Sequence, residues 1–144
     1  MELLWDEAKQ YIEAHCPEDL PEIAIVLGSG LADVIAEAEI LWESPYKAIP
    51  GFPEATAPGH KSRLLLARWS GRKVFFLQGR LHYYEGHSVE DTVFPIHLLA
   101  SLGVKTLILT NAAGGLNPDL ELPALMLIKD HLSFFLPSPL RGPN

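Results

Sequence analysis

The sequence predicts an α/β domain built on a mixed β-sheet flanked by helices. Three observations carry that expectation. Residues 23–27 and 104–109 are continuous apolar runs, the pattern of strands buried on both faces. Residues 63–69 and 73–78 bracket Ser70-Gly71, a turn pair that signals a hairpin and hence antiparallel neighbours. Helical periodicity falls before and between these runs, so strands and helices alternate along the chain.

Each element has its own local reason. Residues 2–15 read as a helix, with Leu4, Ala8, Tyr11 and His15 at the helical period and Pro17 as the stop. Residues 23–27 (Ile-Ala-Ile-Val-Leu) lie between Pro21 and Gly28 and form the first strand. A short helix is expected over about 31–38. Residues 44–60 are rich in proline and glycine and read as an ordered excursion loop. The hairpin follows, then the polar segment QGRLHYYEGH. Ser88 is placed to cap a helix, with Asp91 three residues on as its capping-box partner. Val89, Val93, Ile96 and Ala100 then share one helical face, and Gly103 suits the end. Pro95 is expected to kink that helix or shift its start. Residues 104–109 form a second buried strand, and Leu125–Ile128 a further short one.

Composition bounds the function. The 144 residues fit one domain, and 18 acidic against 11 basic side chains give a formal charge of −7. That balance disfavours nucleic acid as a partner. No apolar run reaches the length of a membrane span. The N-terminus carries Glu2, Asp6 and Glu7 without a basic stretch, so no secretory leader is expected. The one cysteine, Cys16, cannot pair internally, and a reducing cytoplasm is the expected setting.

Three strand ends carry groups suited to chemistry. Gly28-Ser29-Gly30 follows the first strand, and ligands in open α/β sheets bind beyond the carboxyl ends of strands. Two glycines permit close backbone approach, and Ser29 offers a hydroxyl and an N–H to an anion. The same string reads equally well as a glycine-rich turn. A dinucleotide fingerprint fails there, since Asp33 stands where the third glycine belongs. Arg80 and His82 alternate after the hairpin and, in extended backbone, project to one side. A guanidinium with an imidazole suits phosphate or another oxyanion. Glu85 could orient the histidine or accept a proton from a protonated phosphate oxygen. Metal spacings are absent around His82 and His87, so no metal is expected. Asn111-Ala112-Ala113-Gly114-Gly115 follows the strand at 104–109, and its N–H groups suit an anion nest or simply a tight turn. His60 ends the proline-rich loop. Together these groups point to a small-molecule α/β domain with an anion site.

Read as strings, LGSGL at 27–31, PGH at 58–60, QGRLHYYEG at 78–86, TNAAGGLNP at 110–118 and LIKDH at 127–131 resemble the purine nucleoside phosphorylases of the trimeric class. The final SPLRGPN is similar to that family's NPLxGPN stretch. The resemblance implies a mixed sheet with a distorted barrel, a homotrimer, and no cofactor. It implies reversible phosphorolysis of purine nucleosides to free base and pentose 1-phosphate, with inorganic phosphate as co-substrate. By resemblance Ser29, His60, Arg80, His82 and the N–H of Ala112 bind phosphate, and Tyr84 lies against the ribose. His82 and Glu85 are the catalytic candidates.

The family chain is about twice as long, and its purine-binding residues lie in the part with no counterpart here. Glu121-Leu122-Pro123-Ala124 also departs from the family's glycine-aspartate. The expectation is therefore the N-terminal half of one phosphorylase domain, apparently truncated. Such a chain is expected to be inactive alone and complemented by its other half. The rival readings are a non-catalytic half-domain that binds phosphate or self-associates through an open sheet edge, and a methylthioadenosine phosphorylase. The counterpart motifs of the latter differ from HYYEG and NAAGG.

Overall fold

The structure is a computed structural model and describes residues 2–28, 30–53, 61–135, 137–139 and 141. Its centre is a mixed five-stranded sheet in the order β2-β3-β4-β1-β5. The strands are β1 (Ile23–Leu27), β2 (Glu39–Pro45), β3 (Arg63–Trp69), β4 (Arg72–Gln78) and β5 (Thr106–Leu109). Two helices, α1 (Glu2–His15) and α2 (Val89–Ser101), complete the regular elements, with a 3-10 run at Ala32–Glu37 and single 3-10 turns at Tyr46–Ala48 and Tyr83–Glu85.

β1 pairs parallel with both β4 and β5, so Leu27, Gln78 and Leu109 finish at the same end of the sheet. β3 runs antiparallel to β2 and to β4. The β3–β4 loop is the two residues foreseen, with Ser70 at φ 48° and Gly71 at φ 75°. Positive φ at both positions is what a tight hairpin turn with right-handed strand twist demands.

The apolar runs divide by alternation. Ala24, Val26, Leu64, Leu66, Phe75 and Leu77 face one layer with Ala8 and Ile12 of α1 and Phe94, Leu98 and Leu99 of α2. Ile25, Leu27, Leu65, Ala67, Val74 and Phe76 face the other, covered by Ile35. Aromatic rings close the helix layer: Phe94 stacks on Trp5 at 4.7 Å and meets Phe52 edge-on at 5.6 Å, and Phe52 stacks on Tyr46 at 4.0 Å. Each such pair adds about 0.5–1.5 kcal/mol to its area burial.

Several expectations are corrected. The buried face of α1 is Ala8 and Ile12, whereas His15 is exposed and its Nδ1–H donates locally to the Tyr11 carbonyl. The buried face of α2 is Phe94, Leu98 and Leu99; Val89, Val93 and Ile96 are half-buried and Ala100 is exposed. Pro95 does not move the start of α2. Ser88 forms the full capping box with Asp91 and fixes the first turn at Val89. The helix expected over about 31–38 is a 3-10 run at Ala32–Glu37, not an α-helix. Ser44 and Pro45 belong to β2, not to a loop. β5 starts at Thr106 because the N–H groups of Lys105 and Thr106 both donate to the Glu22 carbonyl. It is an edge strand, with Ile108 and Leu109 45% and 64% exposed, not a second buried one. Leu125–Ile128 form no strand and are exposed, because among the described residues no neighbour offers them a ladder.

Candidate functional site

The parallel pairing brings together three of the predicted groups. Gly28 follows β1, Gly79 and Arg80 follow β4, and Thr110 follows β5, all past the carboxyl ends of these strands. This is where an open α/β sheet binds ligands.

Thr110 ties the three ends. Its Oγ1 accepts from the Gly28 N–H at 2.8 Å and donates to the Val26 carbonyl at 2.9 Å. Its own carbonyl accepts from Nη1 of Arg80 at 3.0 Å. Gly28 must be glycine here: a Cβ would sit 2.5 Å from the Thr110 carbonyl oxygen and 2.9 Å from the Asn111 Cα. The chain after β5 thus passes close against the end of β1. Arg80 is held by one nitrogen, while its Nε is buried and has no hydrogen-bond partner among the described residues. A buried guanidinium N–H left so is a strong donor toward an anionic oxygen.

Behind Arg80 the backbone is anchored. The Tyr46 hydroxyl donates to the Gly79 carbonyl at 2.9 Å, and burial pushes its phenol far above the ordinary range. Tyr46 therefore stays a neutral donor at any working pH. Gln78, also buried, accepts at Oε1 from Nε of Arg63 at 2.7 Å, and Arg63 reaches Glu43 at 2.7 Å. These contacts remove slack from the strand end that launches Arg80.

The segment after Arg80 makes a 3-10 turn at Tyr83–Glu85, and Gly86 at φ 95° turns it toward α2. His82 and Tyr84 stack at 4.8 Å with 16° between ring planes, and Tyr84 is 79% exposed. The Tyr84 ring, on the side away from His82, is open to solvent and suited to an apolar ring face with polar edges. Glu85 points the other way, with its side chain 5% exposed and its Oε2 3.9 Å from Nε2 of His87. An open concavity of about 540 Å³ adjoins this turn, lined by Tyr83, His87, Ser88 and Glu90 among others.

Of the predicted site residues, Arg80, His82, Tyr84 and Glu85 occupy one short segment at the β4 end. Ala112 lies exposed just beyond β5. Ser29 and His60 lie outside the described residues. Thr110 opens the TNAAGGLNP string but was given no role there, and Tyr46 carries no motif signal in itself. A threonine closing an apolar run, and an aromatic with a polar tip inside a proline-rich stretch, were the available hints. Among the described residues no group of three or more His, Cys, Asp or Glu side chains is placed to hold a metal ion, and no helix is long and apolar enough to cross a membrane. A second open concavity, about 350 Å³, lies at the amino ends of β1, β4 and β5. Of its lining charges, Lys73 pairs with Glu18 at 2.9 Å and Glu22 with Lys105.

Glycine, arginine and threonine converging at parallel strand ends mark an α/β protein with a candidate anion site. The chain belongs to the phosphorylase superfamily, whose family model matches residues 22–144. It is 42% identical over 139 residues to purine nucleoside phosphorylase 1 of Bacillus subtilis, covering 96% of this chain and 51% of that protein. Against purine nucleoside phosphorylase of Bos taurus it is 41% identical over 143 residues, covering 97% and 49%. Among solved structures, isoform 2 of purine nucleoside phosphorylase from Schistosoma mansoni, in complex with cytosine and ribose-1-phosphate, matches with TM-score 0.71 and 42% identity. That match covers 82% of this chain and 41% of the other. The chain spans about half the length of the curated relatives it matches.

Proposed function

We propose that these 144 residues carry the phosphate half, and part of the ribose site, of a purine nucleoside phosphorylase. The observation that carries the reading is Arg80. It is clamped to Thr110 where β1, β4 and β5 end together, with a further buried donor to spare. Relatives named for this activity support it, as does a neighbour solved with ribose-1-phosphate.

In the reaction an oxygen of phosphate bonds to the anomeric carbon of the sugar. The bond from that carbon to the purine nitrogen breaks, and the base leaves with the electron pair and takes up a proton. Positive charge grows on the sugar as the base departs. A carboxylate pair meets that need in hydrolases. Here the phosphate itself is both nucleophile and counter-charge, so the protein's task is to hold it and align it. In this reading Arg80 and His82 clamp the phosphate, Ser29, His60 and the Ala112 N–H complete its shell, and Glu85 stands behind it. Tyr84 walls the ribose. The groups that recognise the purine fall outside these residues, and no cofactor takes part. A homotrimer and a cytoplasmic setting belong to the same reading.

The test is phosphorolysis of inosine and guanosine with phosphate varied. The chain alone is expected to give no turnover. Adding a polypeptide that matches the uncovered half of the relatives is expected to give saturable turnover. Turnover by the chain alone, or none from the pair when both are folded, contradicts the reading. A second reading, a half-domain that self-associates, draws on the exposed Ile108 and Leu109 of edge strand β5. It predicts a concentration-dependent increase in mass without any enzymatic turnover.

A further inference from the structure

We propose that His87 is a positioning residue of the phosphate site, holding the Glu85 carboxylate through an N–H on Nε2. The proposal rests on the reading of Glu85 as the carboxylate behind the phosphate. Gly86 makes the juxtaposition. Its left-handed backbone at φ 95° folds the chain so that the side chains on either side of it converge. Both are largely withdrawn from water, Glu85 5% and His87 15% exposed, with Nε2 of His87 facing Oε2 of Glu85 at 3.9 Å. Nε2 is buried and has no hydrogen-bond partner among the described residues. A buried imidazole nitrogen in that state is a standing free-energy penalty, and closing the gap to the facing carboxylate relieves it. His87 sits immediately before the Ser88 cap, whose capping box fixes the start of α2. The imidazole is therefore delivered from a rigid element.

The consequence is electrostatic. A carboxylate beside an incoming phosphate repels it unless N–H donors share its charge. His87 is such a donor, and it acts on phosphate only through Glu85. Replacing it with leucine keeps bulk and removes the donor. Replacing it with glutamine keeps an N–H of similar reach.

The experiment is calorimetric titration of the 144-residue chain with inorganic phosphate. His87→Leu is expected to bind phosphate about ten-fold more weakly, the size of one hydrogen bond to a charged group, and His87→Gln to recover to within about two-fold of the parent. If both variants bind like the parent, or both lose binding alike, the proposal is overturned. A companion measurement needs no phosphate: the imidazole ¹⁵N resonances of His87 in the chain and in Glu85→Gln. A proton on Nε2 whose resonance moves in Glu85→Gln supports the pairing, and a bare Nε2 that does not respond overturns it. A parent chain that binds no phosphate while the resonance coupling persists counts against the phosphate reading and for the His87–Glu85 pairing.

Discussion

β1 and β5 are similar strings, IAIVL and TLIL, and they lie side by side in the sheet. β1 is buried at every position after its first, whereas β5 is exposed at every position except Leu107. The difference is place, not composition. β1 has β4 on one side and β5 on the other, and packed layers on both faces. β5 has β1 alone, and the residues that follow it add no cover among those described. Leu116, Leu125, Leu127 and Phe135 are exposed almost completely. An apolar run therefore identifies a strand, and its neighbours decide whether the run is core. The contrast also explains the site. Its rigid side is built by β1 and β4, and its third side, at Thr110 and Ala112, hangs on the weaker edge.

Substitutions can break or sharpen that contrast. The largest effect is expected where burial is complete. Phe76→Ala should lower stability by about 3–5 kcal/mol in denaturant unfolding, while Leu109→Ala should stay within about 0.5 kcal/mol. Comparable losses would mean that the β5 face is covered in solution. Next comes Gly28→Ala, whose added Cβ collides with the Thr110 carbonyl. It should cost about 1–3 kcal/mol, and in hydrogen exchange it should loosen β5 before β4. Equal protection of both strands would show that Thr110 is not the tie.

The smallest effect is electrostatic and lies at the opposite end of the sheet. The Lys73 ammonium, by hydrogen bond and charge, holds the Glu18 carboxyl below its ordinary value of 4.5. A carboxyl with a depressed folded pKa adds stability above its unfolded pKa, and that stability fades as pH falls through the folded value. Lys73→Met should thus be slightly less stable than the parent above about pH 4.5, with the gap closing in acid and in salt. A gap that widens in acid reverses the sign and contradicts the pairing.

What was legible in the sequence is what local signals settle. Pro17 ends α1, Ser70-Gly71 makes the hairpin, and Ser88 with Asp91 starts α2. β2 was missed because a bulge between Ile40 and Trp42 breaks its alternation. Leu41 and Trp42, adjacent in sequence, both pack on the helix layer as a result. The α2 face was misread because Val89 and Phe94 are both apolar, and only the angle at which the helix meets the sheet chooses between them. The strand expected at Leu125–Ile128 failed because pairing is nonlocal. In the site, Arg80, His82, Tyr84 and Glu85 were readable as one polar segment between glycines. Thr110 and Tyr46 were not, since each acts across the fold on a partner more than thirty residues away.

The central claim is that the carboxyl ends of β1, β4 and β5 form one phosphate site. Titrating the ¹⁵N-labelled chain with inorganic phosphate tests it residue by residue. The account predicts saturable shifts at the amides of Gly28, Ala112 and the Arg80 side chain, with one shared dissociation constant that Arg80→Ala abolishes. Shifts confined to the opposite strand ends near Lys73 and Arg72, or unchanged binding in Arg80→Ala, would contradict it.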